Sequence, residues 1–290
     1  MSFRIVVLAK QVPDTRNVGK DAMKEDGTVN RAALPAIFNP EDLNALEMAL
    51  EIKDRLEDVI VSVITMGPSR AAEIIRDSIY RGADNGIVVS DRKVAGSDTL
   101  ATSYTISQAI KKLGNVDLVL CGRQAIDGDT AQVGPQVAEK LNMPQITYAE
   151  EVVAVNETAI QIKRRLERGI EVVESKFPCL ITVHGSANPC RFPHAKRVMK
   201  YKYAISASEA AEIGIDTAKL WQQKPYLKIE EWNAADIQAE DSRLGLTGSP
   251  TKVKKIENVV LTAKESVKLS ASDEDLDGLI KELITAHIIG

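Results

Sequence analysis

Four short apolar runs, at residues 5–10, 59–66, 86–90 and 117–121, recur through the first half of the chain, with helix-like stretches between and after them. This alternation narrows the possible folds more than any other feature. A run such as Val59-Ile60-Val61-Ser62-Val63-Ile64-Thr65-Met66 is apolar on both faces of a strand and must be covered above and below. Parallel strands joined by crossover helices supply that cover. Asn39-Pro40 offers a cap residue and a proline at the first helical position, followed by a stripe of Leu43, Leu46 and Leu50, continued by Ile52 and Leu56. A second helix is predicted over 69–81, with Ala71, Ile74, Ile75 and Ile79 inward and Gly82 as its left-handed stop. Helices over 98–113 and 130–141, ended by Gly114 and Pro144, complete the set.

The period changes after Thr147. Segments 151–155, 159–166 and 170–173 alternate apolar and polar residues around turn signals at Asn156 and Gly169, as an antiparallel meander does. Leu180-Ile181-Thr182-Val183 reads as a further buried strand. Beyond Ser186 core-like clusters are few; Trp221, Pro225, Trp232 and Gly245 share no period, and only 273–288 regains a helical pattern. The expectation is an α/β, Rossmann-like fold: a mostly parallel sheet with helices on both faces, an antiparallel meander and a C-terminal arm. Residues 1–200 form one α/β domain in this reading. Residues 201–290 form an extended arm and helix against a partner, because such a segment buries too little apolar surface alone.

Composition excludes several classes. With 44% apolar and 27% charged residues and a net charge of −4, the chain has no general attraction to nucleic acid or anionic membrane. No apolar run is long enough to span a bilayer. The apolar start is broken by Lys10-Gln11 and lacks a small-residue cleavage site, so it reads as a strand and not a secretion signal. Cys121, Cys179 and Cys190 show no CxxC spacing and read as reduced thiols of a cytoplasmic protein. His184, His194 and His287 lack ligand spacing, and no metal is expected.

GxGxxG, GxxxxGK[ST] and GxSxG are missing, which argues against an ordinary dehydrogenase, a phosphate-loop ATPase and a serine hydrolase. The informative stretch is Gly122-Arg123-Gln124-Ala125-Ile126-Asp127-Gly128-Asp129-Thr130-Ala131-Gln132-Val133, which joins a strand's carboxyl end to a helix start. Ligands of open α/β sheets bind there. Gly128 permits close backbone approach, and free amides over 130–133 suit anionic oxygens. Asp127 and Asp129 would repel phosphate, so Asp129 is expected to cap the helix while the amides face the ligand. A capped loop without a ligand is the other reading. A second start, Asp91-Arg92-Lys93 and then Gly96-Ser97-Asp98-Thr99-Leu100-Ala101-Thr102, has the small and hydroxyl residues that cradle a diphosphate, and plain capping explains Ser97 and Asp98 equally well. Two such starts at neighbouring strand ends fit a ligand larger than a mononucleotide. The basic run Lys196-Arg197, Lys200 and Lys202, interleaved with Val198, Met199, Tyr201 and Tyr203, is either a solvated face or a docking surface for an acidic partner.

These blocks, with Val7–Lys10, Gln11-Val12-Pro13-Asp14, Met66-Gly67-Pro68, Arg81-Gly82-Ala83-Asp84 and the pattern from Ile162 through Thr182, resemble the electron-transfer flavoprotein beta family over nearly the whole chain. Arg168 departs from the family's usual glycine or aspartate. The resemblance implies an adenine-nucleotide site on Ala9, Asn39, Pro40, Glu41, Asp42, Met66 and Gly122 through Val133, and pairing with a larger alpha subunit. Three blocks look like the bifurcating subtype, which holds FAD and takes electrons from NADH, rather than the subtype with a structural AMP. They are 91–102 (including Gly96, Ser97, Asp98, Thr99 and Thr102), 127–132 and Gly245-Leu246-Thr247-Gly248-Ser249-Pro250-Thr251-Lys252-Val253. The implied route runs from NADH to the flavin held here, then to ferredoxin or flavodoxin and, through the alpha-subunit FAD, to an acyl-CoA-type dehydrogenase. Arg123 would stabilise reduced flavin. The dehydrogenase would dock near Asn188–Lys200, where Ala195 replaces a usual leucine and buries less apolar area. The alternatives are a non-bifurcating carrier with AMP and a stand-alone nucleotide-binding regulatory module.

Overall fold

A computed structural model of the chain describes residues 2–14, 35–251 and 267–289. It contains two compact units, Met1–Lys254 and Lys255–Gly290. In the first unit the strands are β1 (Phe3–Leu8), β2 (Gln11–Pro13), β3 (Ala36–Phe38), β4 (Val59–Met66), β5 (Asn85–Val89), β6 (Leu118–Gly122), β7 (Gln145–Val155), β8 (Ala159–Leu166), β9 (Gly169–Lys176), β10 (Cys179–Val183) and β11 (Glu230–Trp232). Its helices are α1 (Pro40–Arg55), α2 (Ala72–Arg81), α3 (Thr99–Leu113), α4 (Val133–Leu141), α5 (Ala195–Tyr201), α6 (Ala207–Glu212) and α7 (Thr217–Gln223).

Nine strands form the main sheet in the order β11-β5-β4-β1-β6-β10-β7-β8-β9, while β2 and β3 form a separate antiparallel ribbon. Every pairing from β11 to β7 is parallel; β7–β8 and β8–β9 are antiparallel. The predicted architecture is therefore present: a mostly parallel sheet carrying a meander. The chain builds from β1 outward to β4 and β5, then crosses back to place β6 on the other side of β1. Adjacent crossovers diverge between β1 and β6, and this is the crevice where ligands of open sheets bind.

Alternation along the central strands explains the two covered faces. Ile5, Val7, Val61, Val63, Leu118 and Leu120 share a core with Leu46 and Leu50 of α1 and Ile75 of α2. Val6, Leu8, Ile64 and Val119 share the other with Ile106 and Ile110 of α3 and Val137 of α4. All of these side chains are at most 8% exposed.

Some boundaries differ from the sequence reading. The segment 69–81 opens with a tight 3-10 turn, Ser69–Ala71, before α2. Helix α4 begins three residues later than expected and stops at Asn142, whose left-handed backbone (φ 54°, ψ 44°) ends it before Pro144. Strand β7 starts at Gln145 because its first residues pair with β10; its register shifts between Ala149 and Glu151, and the rest belongs to the meander. The stretch after residue 200 contributes more core than its lack of period suggests. Ala204, Ile205, Leu227, Ile229, Ala234, Ile237 and Leu244 are buried, and β11 extends the sheet beside β5. These residues come singly from turns and short elements, so no periodic signal marks them. In the second unit, α8 (Asp273–Thr285) is capped by Ser272, which accepts from the amide of Asp275.

Strand β5 runs close beneath α2 at Gly86, where a β-carbon would lie 2.5 Å from Ile75 Cγ2 and 3.2 Å from the carbonyl oxygen of Val63. We expect Gly86→Ala to lower unfolding stability by about 1–3 kcal/mol through overpacking, measurable as an earlier denaturant midpoint with unchanged slope.

Candidate functional site

The N-terminus of α1 organises the crevice. Asn39 is fully buried and occupies the cap position, yet its side chain does not cap the helix. It reaches across to the loop after β6: its Nδ2 donates to the carbonyl of Gln124 (2.9 Å), and its Oδ1 accepts from the amide of Ile126 (3.2 Å). Glu41 accepts from the amide of Gln124 (2.9 Å) and from Nη2 of Arg123 (3.0 Å). Asp42 closes the set, accepting from the amides of Lys10 and Gly122, both at 2.9 Å, so one carboxylate bridges the ends of β1 and β6. Gly122 is required by this closeness, since a β-carbon there would lie 2.5 Å from Asp42 Oδ1 and 2.8 Å from the backbone carbon of Glu41.

Burial pushes the Asp42 carboxyl up to about 7, against the lowering pull of the Lys10 and Gly122 amides and of Asn39. The charged form loses more hydration than two amide bonds return.

Beyond Ile126 the loop turns twice through left-handed backbone, at Asp129 (φ 48°) and Ala131 (φ 53°). These two turns delay α4 to Val133 and overturn the expected role of Asp129. The cap position belongs to Gln132, which makes no side-chain cap bond, while the Asp129 carboxylate accepts from Nε2 of Gln124 (2.9 Å). Asp127 is held by Nζ of Lys10 at 2.7 Å. Both acidic groups are thus engaged. The amides of Thr130, Ala131, Gln132, Val133 and Gly134 have no acceptor among the described residues. A β-carbon at Gly128 would meet open space. Free amides at the first turn of a helix, with the nearby carboxylates occupied elsewhere, form a donor set that accommodates anionic oxygens. Ala9, at the end of β1, is 7% exposed, and Met66 ends β4 half-buried against the α3–α4 core.

The second helix start is built differently. Oδ1 of Asp98 caps α3 by accepting from the amides of Leu100 and Ala101, and its Oδ2 accepts from the amide (3.1 Å) and hydroxyl of Thr251. Ser249 Oγ accepts from the amide of Asp98 (2.8 Å), and the hydroxyl of Ser97 donates to the carbonyl of Val94 (2.7 Å). The amide of Thr102 donates to the carbonyl of Asp98. Gly96 (φ 73°) lies under Leu246, whose side-chain carbons would be 2.9 Å from a β-carbon there. The 245–251 block therefore packs on the start of α3; Lys252 and Val253 fall outside the described residues.

The two helix starts do not follow neighbouring strands, as the sequence had suggested, because β4 and β1 separate β5 from β6. They meet through side chains: Thr99 Oγ1 donates to Gln132 Oε1 (2.8 Å), and Ser103 Oγ donates to Gln136 Oε1 (2.9 Å). Sequence reading missed Lys10, Ser103 and Gln136. The i,i+4 spacing of Thr99 with Ser103, and of Gln132 with Gln136, is the one signal that could have found that ladder.

In the predicted docking segment, Phe192 is 91% and Met199 66% exposed. The segment is fixed from beneath by Arg191, which pairs with Glu47 and Asp54, both at 2.8 Å. Among the described residues, no helix is long and apolar enough to cross a membrane, and no cluster of His, Cys, Asp and Glu is placed to hold a metal.

The raised Asp42 carboxyl fixes the sign of a pH effect. Its folded value lies above the unfolded one, so its stabilising contribution is complete below about pH 4 and is lost as pH rises through about 7. Wild-type protein should therefore lose stability relative to Asp42→Asn across that window. Equal pH slopes for the two proteins in urea unfolding would count against a buried, proton-holding Asp42.

A family model for the electron transfer flavoprotein domain matches residues 26–213. The chain is 41% identical over 295 aligned positions to the electron transfer flavoprotein subunit beta of Megasphaera elsdenii, covering 97% of this chain and 100% of that protein. It is 40% identical to the caffeyl-CoA reductase-Etf complex subunit CarD of Acetobacterium woodii, with 99% and 100% covered. It is 39% identical to the acryloyl-CoA reductase electron transfer subunit gamma of Anaerotignum propionicum, again with 99% and 100% covered.

Proposed function

This chain belongs to the electron transfer flavoprotein family, as a beta-type subunit resembling the bifurcating subtype, and from that premise we propose that its crevice holds an FAD reduced by NADH. The observation that carries this reading is the junction of the two helix starts through Thr99 and Gln132 beside the free amides of 130–134. A single helix start suffices for one phosphate; two joined starts suit a longer, diphosphate-bridged ligand.

Bound FAD would supply the redox chemistry, dividing the electron pair from NADH between ferredoxin or flavodoxin and, through an alpha-subunit FAD, an acyl-CoA-type dehydrogenase. The protein's own part is positional. The amides of 130–134 receive phosphoryl oxygens, and Asn39, Glu41 and Asp42 hold the loop that presents them. Arg123, oriented by its ion pair with Glu41, would offer a guanidinium to the negative charge that a bound flavin gains on reduction. The alpha subunit pairs with this chain, and a dehydrogenase docks near residues 188–200, where Phe192 and Met199 are presented. The names of the Acetobacterium and Anaerotignum relatives, which tie them to CoA-ester reductases, support that class of partner. A reducing cytoplasm suits the three free thiols.

One observation favours the other nucleotide. Ser97 and Asp98 are already bonded within the protein, which leaves the α4 amides as a site sufficient for AMP. The two readings separate on a count. Nucleotide released by denaturing the co-purified alpha–beta complex should amount to two FAD per heterodimer, identified chromatographically. One FAD with one AMP would overturn the bifurcating assignment.

A further inference from the structure

Helix α1 carries a polar stripe that its role at the crevice does not use up. Asn44, Glu47, Glu51 and Asp54 recur at intervals of three and four residues and so lie along one face. All four are bonded to the segment that follows β10. Nδ2 of Asn44 donates to the carbonyls of Ala187 (3.0 Å) and Asn188 (2.9 Å), and Oε1 of Glu51 accepts from Nδ2 of Asn188 (2.6 Å). Glu47 accepts from the amide of Arg191 (2.8 Å), and its carboxylate also receives Nε (3.0 Å) and Nη2 (2.8 Å) of that residue. Asp54 takes Nη2 as well (2.8 Å).

Glu47 is buried, and a carboxylate in that position is stable only while the guanidinium stays against it. Helix α2 adds further ties to the same segment. Nη1 of Arg81 donates to the carbonyl of Arg191 (2.6 Å), and the amide of His194 donates to the carbonyl of Tyr80 (2.8 Å). Arg197 donates to the carbonyls of Ile79 and Ala83. The backbone around 187–194 is thus bonded to two helices, while Phe192 and Met199 keep their side chains in solvent. A surface ordered before contact loses less conformational entropy when a partner arrives.

We propose that Asn44 and Glu47 are positioning residues for partner docking: through them α1 sets the course of residues 187–191 and so presents Phe192 to the dehydrogenase. This rests on the reading of 188–200 as a docking segment, and adds which residues outside it decide how well it docks. The first turn of the same helix holds the loop after β6, with Glu41 bonded to Gln124 and Arg123. A partner seated on 188–200 is therefore registered against the crevice through one continuous helix of 16 residues.

The test mixes the flavin-loaded alpha–beta complex, reduced with dithionite, with rising concentrations of a purified acyl-CoA dehydrogenase and follows reduction of the dehydrogenase by stopped flow. Asn44→Ala and Glu47→Gln should each raise the half-saturating concentration about fivefold, the scale of one hydrogen bond lost from an ordered segment. The limiting rate and the nucleotide content should stay those of wild type, a split that a merely destabilised protein would not show. Amide exchange at Arg191 should quicken in Glu47→Gln. The proposal is overturned if half-saturation is unmoved in both variants, or if the limiting rate falls in step with it. Phe192→Ala separates this proposal from the reading beneath it. Should Phe192→Ala raise half-saturation while the α1 variants do not, docking stands and positioning falls. If Phe192→Ala changes nothing, or the native complex does not reduce the dehydrogenase, the docking reading fails and takes this one with it.

Discussion

The crevice depends on one carboxylate. Asp42 accepts the amides of Lys10 and Gly122 and so ties together the ends of the two strands between which the sheet changes direction. Parallel strands leave their last amides unpaired at such a point, and a buried amide without an acceptor costs about 1–3 kcal/mol. Placing the acceptor on the first turn of α1 solves this and also fixes where the helix sits. Asn39 and Glu41, on the same turn, extend the grip to residues 123–126.

This arrangement decides what is left for a ligand. The polar side chains around the loop are spent on one another: Asp127 on Lys10, Asp129 on Gln124, Glu41 on Arg123. Backbone amides are what remains. Amides carry no net charge and cannot turn away, which suits recognition of a phosphate whose shape and position must be held. The acidic residues that seemed to oppose an anionic ligand in the sequence are the ones that shape its donors.

Much of the architecture was legible because periodicity reports burial. The central strands, α1 and α3 follow from apolar spacing, and the meander from its turns. Legibility failed where geometry depends on left-handed, non-glycine residues. Asp129 and Ala131 carry no local signal for that conformation, so the start of α4 and the role of Asp129 were misread. It failed again over 201–251, where isolated residues such as Leu227 and Ile237 fill the core from turns. The family blocks found the crevice loop. Its proximity to α3 could not be read from strand order, because the helices and not the strands are the neighbours.

The shared cap of α3 sets an order of events during synthesis. Asp98 and Thr251 are 153 positions apart, so the bond that buttresses the capping carboxylate from outside the helix has to wait for nearly the entire first unit to emerge. Such long-range closure is slow compared with forming the helix itself. The body of α3 and its local cap can be in place, packed on its strands, before the 245–251 block arrives to cover its start. A nascent chain would thus acquire its scaffold well before the 245–251 block closes over the start of α3.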